Sequence, residues 1–280
     1  MNNQFTVHLV SNASMDIFRE NTMAGFRNQL VGPLELTGSW QVALESIIFP
    51  TSIKNVTSVK IKEYPDDGYI TDSISKVDEK KTKREIPAGI YKNVFDLLNA
   101  VVQDTTLQRF EYIIDPATDK LTLKFAAREG ISFEDEEIPS ILGFKLPRDF
   151  IGYRHVGYKM DTQLYGQDNV PNEHTGIYPV DIACGSQLMF LYVDIIEHQY
   201  VGNVKAPILK IIDTERRLKN GSLTVTTPIQ QKTFETPDFK PLLFHNIQNI
   251  KVELRTETGK LVPFLGVGKV IVNLLFKRVD

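Results

Sequence analysis

The sequence holds a single cysteine, Cys184, in 280 residues. One thiol excludes an intrachain disulfide and any cysteine-based zinc cluster, and it suits a reducing compartment. No run approaches 18 apolar residues, so no helical membrane span is expected. Met1–Gln4 carries neither the basic nor the apolar stretch of a signal peptide, so a soluble protein made inside a cell is expected. Charge of one sign is also lacking: 32 basic residues face 35 acidic ones, a net charge of −3. A chain that coats nucleic acid usually carries a basic face or arm. Strand-like sequence begins here at Phe5, which leaves no basic arm, and nucleic acid is disfavoured as a partner.

Catalytic and metal-binding patterns are missing as well. The five histidines are His8, His155, His174, His198 and His245. They form no His-Glu-x-x-His and no His-x-His, so no metal ligand and no catalytic base is assigned. Gly266-Val-Gly-Lys269 has part of a phosphate loop, but Pro263 stands where the first glycine belongs and Val270 where Ser or Thr is needed. A turn between strands is the favoured reading. Glu134–Glu137 lacks the spaced oxygens and turn glycine of a calcium loop and reads as a solvated helix start. Lys80–Arg84, flanked by Asp78, Glu79 and Glu85, reads as a solvated charged loop rather than a nucleic-acid contact. Ser11, Ser14 and Thr22 have no nucleophile elbow around them; such side chains commonly bond nearby backbone and fix a loop. Trp40, the only tryptophan, could stack a sugar or a base, yet its strand position favours the core. The expectation is therefore no catalytic residue, no cofactor and no metal.

What the chain has in abundance is period-2 alternation. Phe5, Val7 and Leu9 share one face, as do Trp40, Val42 and Leu44. The pattern recurs at Leu121–Phe125, at Ile250–Leu254, and at Val270, Val272, Leu274 and Phe276. Such segments are strands with one face on a core. Leu188–Ile196 is apolar on both faces and reads as a central strand. Asp115–Asp119 separates two strands as a hairpin turn, and Thr256–Gly259 separates Ile250–Leu254 from Leu261–Phe264 in the same way.

Helix is scarce. Val94, Leu97, Leu98, Val101 and Val102 form an amphipathic stripe inside Tyr91–Asp104. A short second helix is expected around Glu136–Leu142, with Gly143 at its C-terminal cap. Residues 86–146 thus read as an α+β unit within a β chain, and Asp78–Glu85 as its charged linker. Strands, an α+β insert and further strands indicate an all-β fold, a single jelly-roll β-sandwich with a small inserted α+β domain. The sandwich is expected from residues 1–77 plus 180–280, the insert with its linkers from 78–179. The first and last strands, Phe5–Leu9 and Val270–Phe276, should then be neighbours in one sheet.

An ordered set of motifs adds a family resemblance. Phe5-Thr-Val-His-Leu9, Ser11-Asn-Ala-Ser14, Phe18, Asn21-Thr22, Phe26 and Leu30 come first. Pro33-Leu-Glu-Leu36 and Gly38–Leu44, running on to Ile47–Pro50, complete this N-terminal signature. Ile86-Pro-Ala-Gly-Ile-Tyr91 follows, then Ile138-Pro-Ser-Ile-Leu-Gly-Phe144, Leu191-Tyr-Val-Asp194, Val201-Gly202 and Ala206-Pro-Ile-Leu209. Glu253–Gly259, Pro263-Phe264 and the terminal strand close the series. The whole resembles the penton, or minor capsid, protein of Polinton/Maverick elements and virophages. The resemblance implies a structural virion protein without catalytic activity, a single jelly-roll at the five-fold vertices of an icosahedral capsid. It implies a homopentamer beside double jelly-roll major capsid trimers, with a vertex fibre or a host receptor as further partners. It also implies assembly in the nucleus or in a cytoplasmic virus factory. The alternative is a jelly-roll module that binds a receptor or glycan through aromatics on a concave sheet. A jelly-roll metalloenzyme is disfavoured, because its strands would need a histidine set that is not present.

Overall fold

Period-2 alternation becomes strand pairing throughout the computed structural model. It describes residues 3–57, 59–64, 82–103, 110–125, 130–133, 137–144, 149–151, 172–183, 187–219, 222–224 and 228–279. Antiparallel strands dominate, so the class is all-β, as the alternation indicates. The chain divides into two compact units: Met1–Lys54, Gly185–Arg217 and Thr224–Asp280 form the first, Asn55–Cys184 and Leu218–Leu223 the second. No helix among the described residues is long and apolar enough to cross a membrane.

Eight of the described strands carry the two main sheets of the first unit, beside a small hairpin of Gln199–Val201 and Val204–Ala206. The eight are β1 (Gln4–Val10), β2 (Gly25–Glu35), β3 (Ser39–Pro50), β4 (Leu188–Val193), β5 (Ile208–Asp213), β6 (Ile229–Thr233), β7 (Asn246–Arg255) and β8 (Ile271–Val279). One sheet runs β1-β8-β3-β6, with Lys240–Pro241 also on β3; the other runs β5-β4-β7-β2. Every pairing between these strands is antiparallel. First pairs with last, second with seventh, third with sixth and fourth with fifth. This is the order left when one long antiparallel ribbon is wrapped around a core. Phe5–Leu9 and Val270–Phe276 accordingly lie side by side, Phe5 opposite Phe276 and Leu9 opposite Val272.

The two inner faces make one core. Leu9, Val42, Leu44, Ile47, Phe49, Val272, Leu274 and Phe276 line it from one sheet, and Phe26, Met189, Leu191, Val193, Ile250, Val252 and Leu254 from the other. Phe276 is fully buried and its ring stacks on Phe5 at 5.0 Å. Side chains of this size each contribute about 1.5–3 kcal/mol when fully buried. Two register shifts interrupt the pairing. On β3 the register shifts opposite Asn273/Leu274, so Val42 and Leu44 point inward before it and Ile47 and Phe49 after it. Between β7 and β2 the register breaks where Gln248 alone faces Leu30–Pro33, with Ile247 buried before it and Ile250 and Val252 after it. An added residue flips every later side chain to the other face, and on β3 that keeps both halves of the strand on the core.

The second unit has its own core of Val59, Ile61, Ile86, Leu97, Leu98, Leu121, Leu123, Phe125, Ile131, Phe133, Ile138 and Ile182 among others. One sheet orders Thr82–Ile86, Val59–Tyr64, Gly130–Phe133 and Asp149–Ile151 side by side; another orders Asn172–Thr175, Leu121–Phe125 and Phe110–Ile114. The expected hairpin is present, with Phe110 opposite Phe125 and Asp119 in the left-handed region at φ 52°. Helix α1 spans Val94–Val102 and helix α2 Glu137–Ile141. Asn93 caps α1 by accepting a hydrogen bond from the Asp96 N–H at 2.9 Å, so the helix starts three residues later than the expected Tyr91. After α2, Gly143 at φ +81° donates to Ser140 O and Phe144 N donates to Pro139 O. That pair of bonds is a Schellman ending. A side chain at Gly143 would meet the Tyr178 carbonyl oxygen at 2.1 Å, so glycine is required.

Several expectations are corrected. Thr82–Ile86 is a strand rather than linker, because it pairs with Val59–Tyr64. Val59 and Ile61 are fully buried in the second core, so the division falls at Lys54/Asn55 rather than after residue 77. Ile182 and Ala183 belong to that same core, which places the return at Cys184/Gly185 rather than at 179/180. The strand expected over Leu188–Ile196 ends at Val193, where Asp194-Ile195 turns. Beyond the Thr256–Gly259 turn, Leu261 makes only an isolated bridge to Arg255. Pro263 has no N–H to extend it, and its carbonyl and Phe264 turn instead to Lys54 and Ile53.

Candidate functional site

The residues of the N-terminal signature converge on one side of the first unit, where β2 is the outer strand of its sheet and β1 of the other. An outer strand offers unpaired N–H and C=O groups to any other chain. On β2 these groups are taken by side chains of the loop over residues 11–24. Asn21 Oδ1 accepts from Arg27 N–H at 2.9 Å, while its Nδ2 donates to Arg27 O at 2.9 Å and to Ala13 O at 3.1 Å. Thr22 Oγ1 accepts from Gly25 N–H at 3.0 Å, and Ser14 Oγ accepts from Gln29 N–H at 3.0 Å. Gly25, Arg27 and Gln29 alternate along the strand, so their outward groups are covered in succession. Arg27 also lies over the Phe18 ring at 5.6 Å.

Asn28, on the inner face, closes the gap between the two outer strands. It is 5% exposed. Its Oδ1 accepts from Val10 N–H at 2.7 Å and its Nδ2 donates to Val10 O at 2.9 Å. The side-chain amide replaces the peptide group of a neighbouring strand. Ser11 does the same at the start of β8, accepting from Val270 N–H at 2.9 Å. Ser11, Ser14 and Thr22 are therefore backbone fixers, as their context indicates. On the far side of the sandwich the links run between side chains: Lys232 Nζ lies 2.7 Å from Glu215 Oε1, and Lys210 lies over Phe234. Past Gln29, β2 carries Val31, fully exposed, and Pro33, which has no N–H to offer.

The structure disperses the remaining candidates. His8 shares a hydrogen bond with Asn273 at 2.7 Å, His174 lies edge-on to Phe125, and His198 and His245 are exposed. Among the described residues no three His, Cys, Asp or Glu gather as metal ligands. His155 and Cys184 lie outside the described residues. So do Glu134, Asp135 and Glu136, and Lys80 and Lys81 of the basic run. Glu137 accepts from the Thr57 N–H at 2.8 Å and from its hydroxyl, anchoring the start of α2. Gly266–Lys269 is an exposed bend leading into β8, with Gly266 at φ +81°. Trp40 is half-buried against Phe5 at 5.5 Å, and its indole N–H donates to Thr37 O at 3.1 Å, so neither its face nor its donor is set aside for a ligand.

Two polar arrangements escape the sequence reading. In the second unit Glu63, fully buried, receives the Arg84 guanidinium through Nε at 3.1 Å and Nη2 at 2.8 Å. Arg84 also donates to the carbonyls of Ala100, Val101 and Gln103 at the end of α1. A signal was present: Val59, Ile61 and Glu63 share one face of a strand, so a carboxylate stands at a core position and requires a cation. In the first unit Asp194 accepts from Lys251 N–H at 2.9 Å beside a cavity lined by Ile195, Phe244, Asn246, Ile247, Gln248 and Asn249. Burial pushes its carboxyl pKa up, and the Lys251 N–H bond and the Arg27 charge only partly offset this.

The raised pKa fixes a sign. The folded protein holds the Asp194 proton more tightly than the unfolded chain, so the contribution to stability is full below the ordinary carboxylate range and is lost as pH rises through the raised value. Asp194→Asn keeps an oxygen for Lys251 N–H and removes the charge. Its thermal midpoint should match that of the wild type at pH 3 and exceed it at pH 7. A lower midpoint at pH 7 would mean that the carboxylate stabilises the fold.

No protein-family model matches the chain, and no curated protein is significantly similar to it. Among solved structures, the mavirus penton protein aligns over 99% of both chains at 8% identity with a TM-score of 0.42. A chain of the Sputnik virophage, seen by electron cryomicroscopy, aligns over 99% of this chain and 98% of its own at 12% identity, with a TM-score of 0.37.

Proposed function

We propose that this chain is a structural virion protein, the penton that fills the five-fold vertices of an icosahedral capsid of a double-stranded DNA virus or virus-like transposon. The observation that carries the reading is where the family-resembling motifs fall. They sit at the joints of the wrapped eight-strand sandwich and of the second unit. The N-terminal signature seals the β1/β2 side through Ser14, Asn21, Thr22 and Asn28. Ile86–Tyr91 is held by Asn55, whose Oδ1 accepts from Tyr91 N–H at 2.9 Å and whose Nδ2 donates to Tyr91 O at 2.8 Å. Ile138–Phe144 is α2 with its Schellman ending.

On this reading the first unit is a jelly-roll, its strand order being that of a double Greek key. Five copies close a ring through side-to-side, heterologous contacts, and the ring seats among double jelly-roll major capsid proteins. Contacts of this obligate kind commonly bury more than about 2,000 Å². The second unit is an appendage of the vertex, free to take a fibre or a host receptor. The work is mechanical and requires no catalytic side chain. Localisation is the capsid vertex, after assembly in the nucleus or a cytoplasmic factory.

The test is the native mass across a concentration series by mass photometry, with and without the major capsid protein. A closed, discrete species of five copies is expected, alone or on co-assembly. A strict monomer that also fails to co-assemble with the major capsid protein overturns the proposal.

A further inference from the structure

The cavity beside Asp194 lies wholly within the first unit, lined by the start of β7 and the turn after β4. Its volume is about 390 Å³, within the range of ligand-sized sites. Three kinds of group line it: the Asp194 carboxylate, the side-chain amides of Asn246, Gln248 and Asn249, and the Phe244 ring, which is half exposed. A bulge commonly re-aims side chains next to a site, and here Gln248 of β7 stands alone against the four residues Leu30–Pro33 of β2.

The carboxylate is the unusual member. Asp194 Oδ1 accepts a single backbone N–H, from Lys251. Among the described residues no lysine or arginine forms an ion pair with it. The two cations whose charge reaches it also have other contacts: Lys251 Nζ lies 2.6 Å from Glu253 Oε1, and Arg27 lies over the Phe18 ring. Glu35, opposite Asn246 in the β2–β7 register, adds negative charge on the adjoining strand. A half-buried carboxylate whose burial nearby cations only partly offset carries a cost that a bound cation would relieve.

We infer that this cavity receives an arginine side chain presented by a neighbouring protein molecule. A guanidinium has the matching form. Its planar fork of N–H donors meets a carboxylate in bidentate fashion, its outer donors suit amide oxygens, and its face stacks on an aromatic ring. The argument is independent of the virion reading and stands on the cavity alone.

The probe is N-acetyl-arginine amide, with the N-acetyl-citrulline amide as its uncharged isostere. Binding is read from the side-chain amide resonances of Asn246, Gln248 and Asn249 in the full-length protein. Saturable shifts at millimolar arginine amide are expected, with the citrulline compound at least tenfold weaker. Asp194→Asn, which retains the bond from Lys251 N–H, should weaken the arginine amide at least tenfold while leaving the rest of the amide spectrum unchanged. No saturable shift in the wild type overturns the proposal. Equal binding of citrulline, or arginine binding kept in a folded Asp194→Asn, overturns it as well.

Discussion

Arg84→Met should destabilise the second unit by about 3–5 kcal/mol, the usual cost of breaking a buried ion pair from one side. The guanidinium reaches Glu63 twice, at 3.1 and 2.8 Å, and the Glu63 side chain has no solvent exposure. The same group accounts for three carbonyls at the end of α1, those of Ala100, Val101 and Gln103. A helix leaves its last carbonyls without intrahelical partners, and no basic residue of the last turn of α1 serves them. Methionine fills similar volume but supplies none of these donors. Hydrogen exchange should show protection lost at Val59–Tyr64 and α1 and kept across β3, β7 and β8. Glu63→Gln with Arg84→Met should recover part of the loss, since the uncompensated charge is then gone. Uniform loss of protection in both units would refute this account.

Asn28→Ala should cost about 1–3 kcal/mol, because it orphans the buried Val10 N–H, while the Val10 carbonyl keeps its bond from the Ala13 N–H at 3.0 Å. Asn28 is also the one side chain that joins the backbones of β1 and β2 among the described residues, so its loss should loosen the side that the signature seals. Adding Asn21→Ala, which bares the Arg27 N–H and carbonyl, should convert lost stability into association through the β2 edge. Light scattering on warming should then rise well below the wild-type midpoint. A double variant that melts early yet stays dispersed would show that the seal is structural only.

These two sites mark where the sequence could be read and where it could not. Alternation located the strands because burial acts residue by residue: Phe5–Leu9, Leu121–Phe125 and Val270–Phe276 stand where their patterns indicate. The context of Ser11, Ser14 and Thr22 indicated backbone bonding, and the bonds are there. The partners of Ser11 and Ser14 were not legible, since Val270 and Gln29 are distant in sequence or on another strand. Register shifts were not legible either. Ile47 is inward only because an added residue on β3 shifts the phase, and Ile250 follows a register break whose surplus residues lie on β2; both are properties of the paired strands. Arg84 was hidden by composition. In a run of lysines it resembles solvated charge, and its role depends on Glu63, 21 residues away. Asp194 is hidden inside an apolar stretch that reads as one strand, while its setting is made by the distant residues Phe244–Asn249.

The clasp at Asn55 reaches further than one hydrogen-bond set. The same side chain that holds Tyr91 also donates to Ile182 O at 2.8 Å, so the chain enters and leaves most of the second unit through one residue. A segment tied off at a single point could pass between lineages as a cassette. This one is also stitched: Leu223 N donates to Lys92 O and Ser222 bridges Asn93, from a stretch that lies after β5 in the chain. Recombination that moved residues 55–184 alone would leave Lys92 and Asn93 without those partners. The unit and its short stitch are therefore expected to be inherited together, although more than thirty residues of the sandwich separate them in the gene.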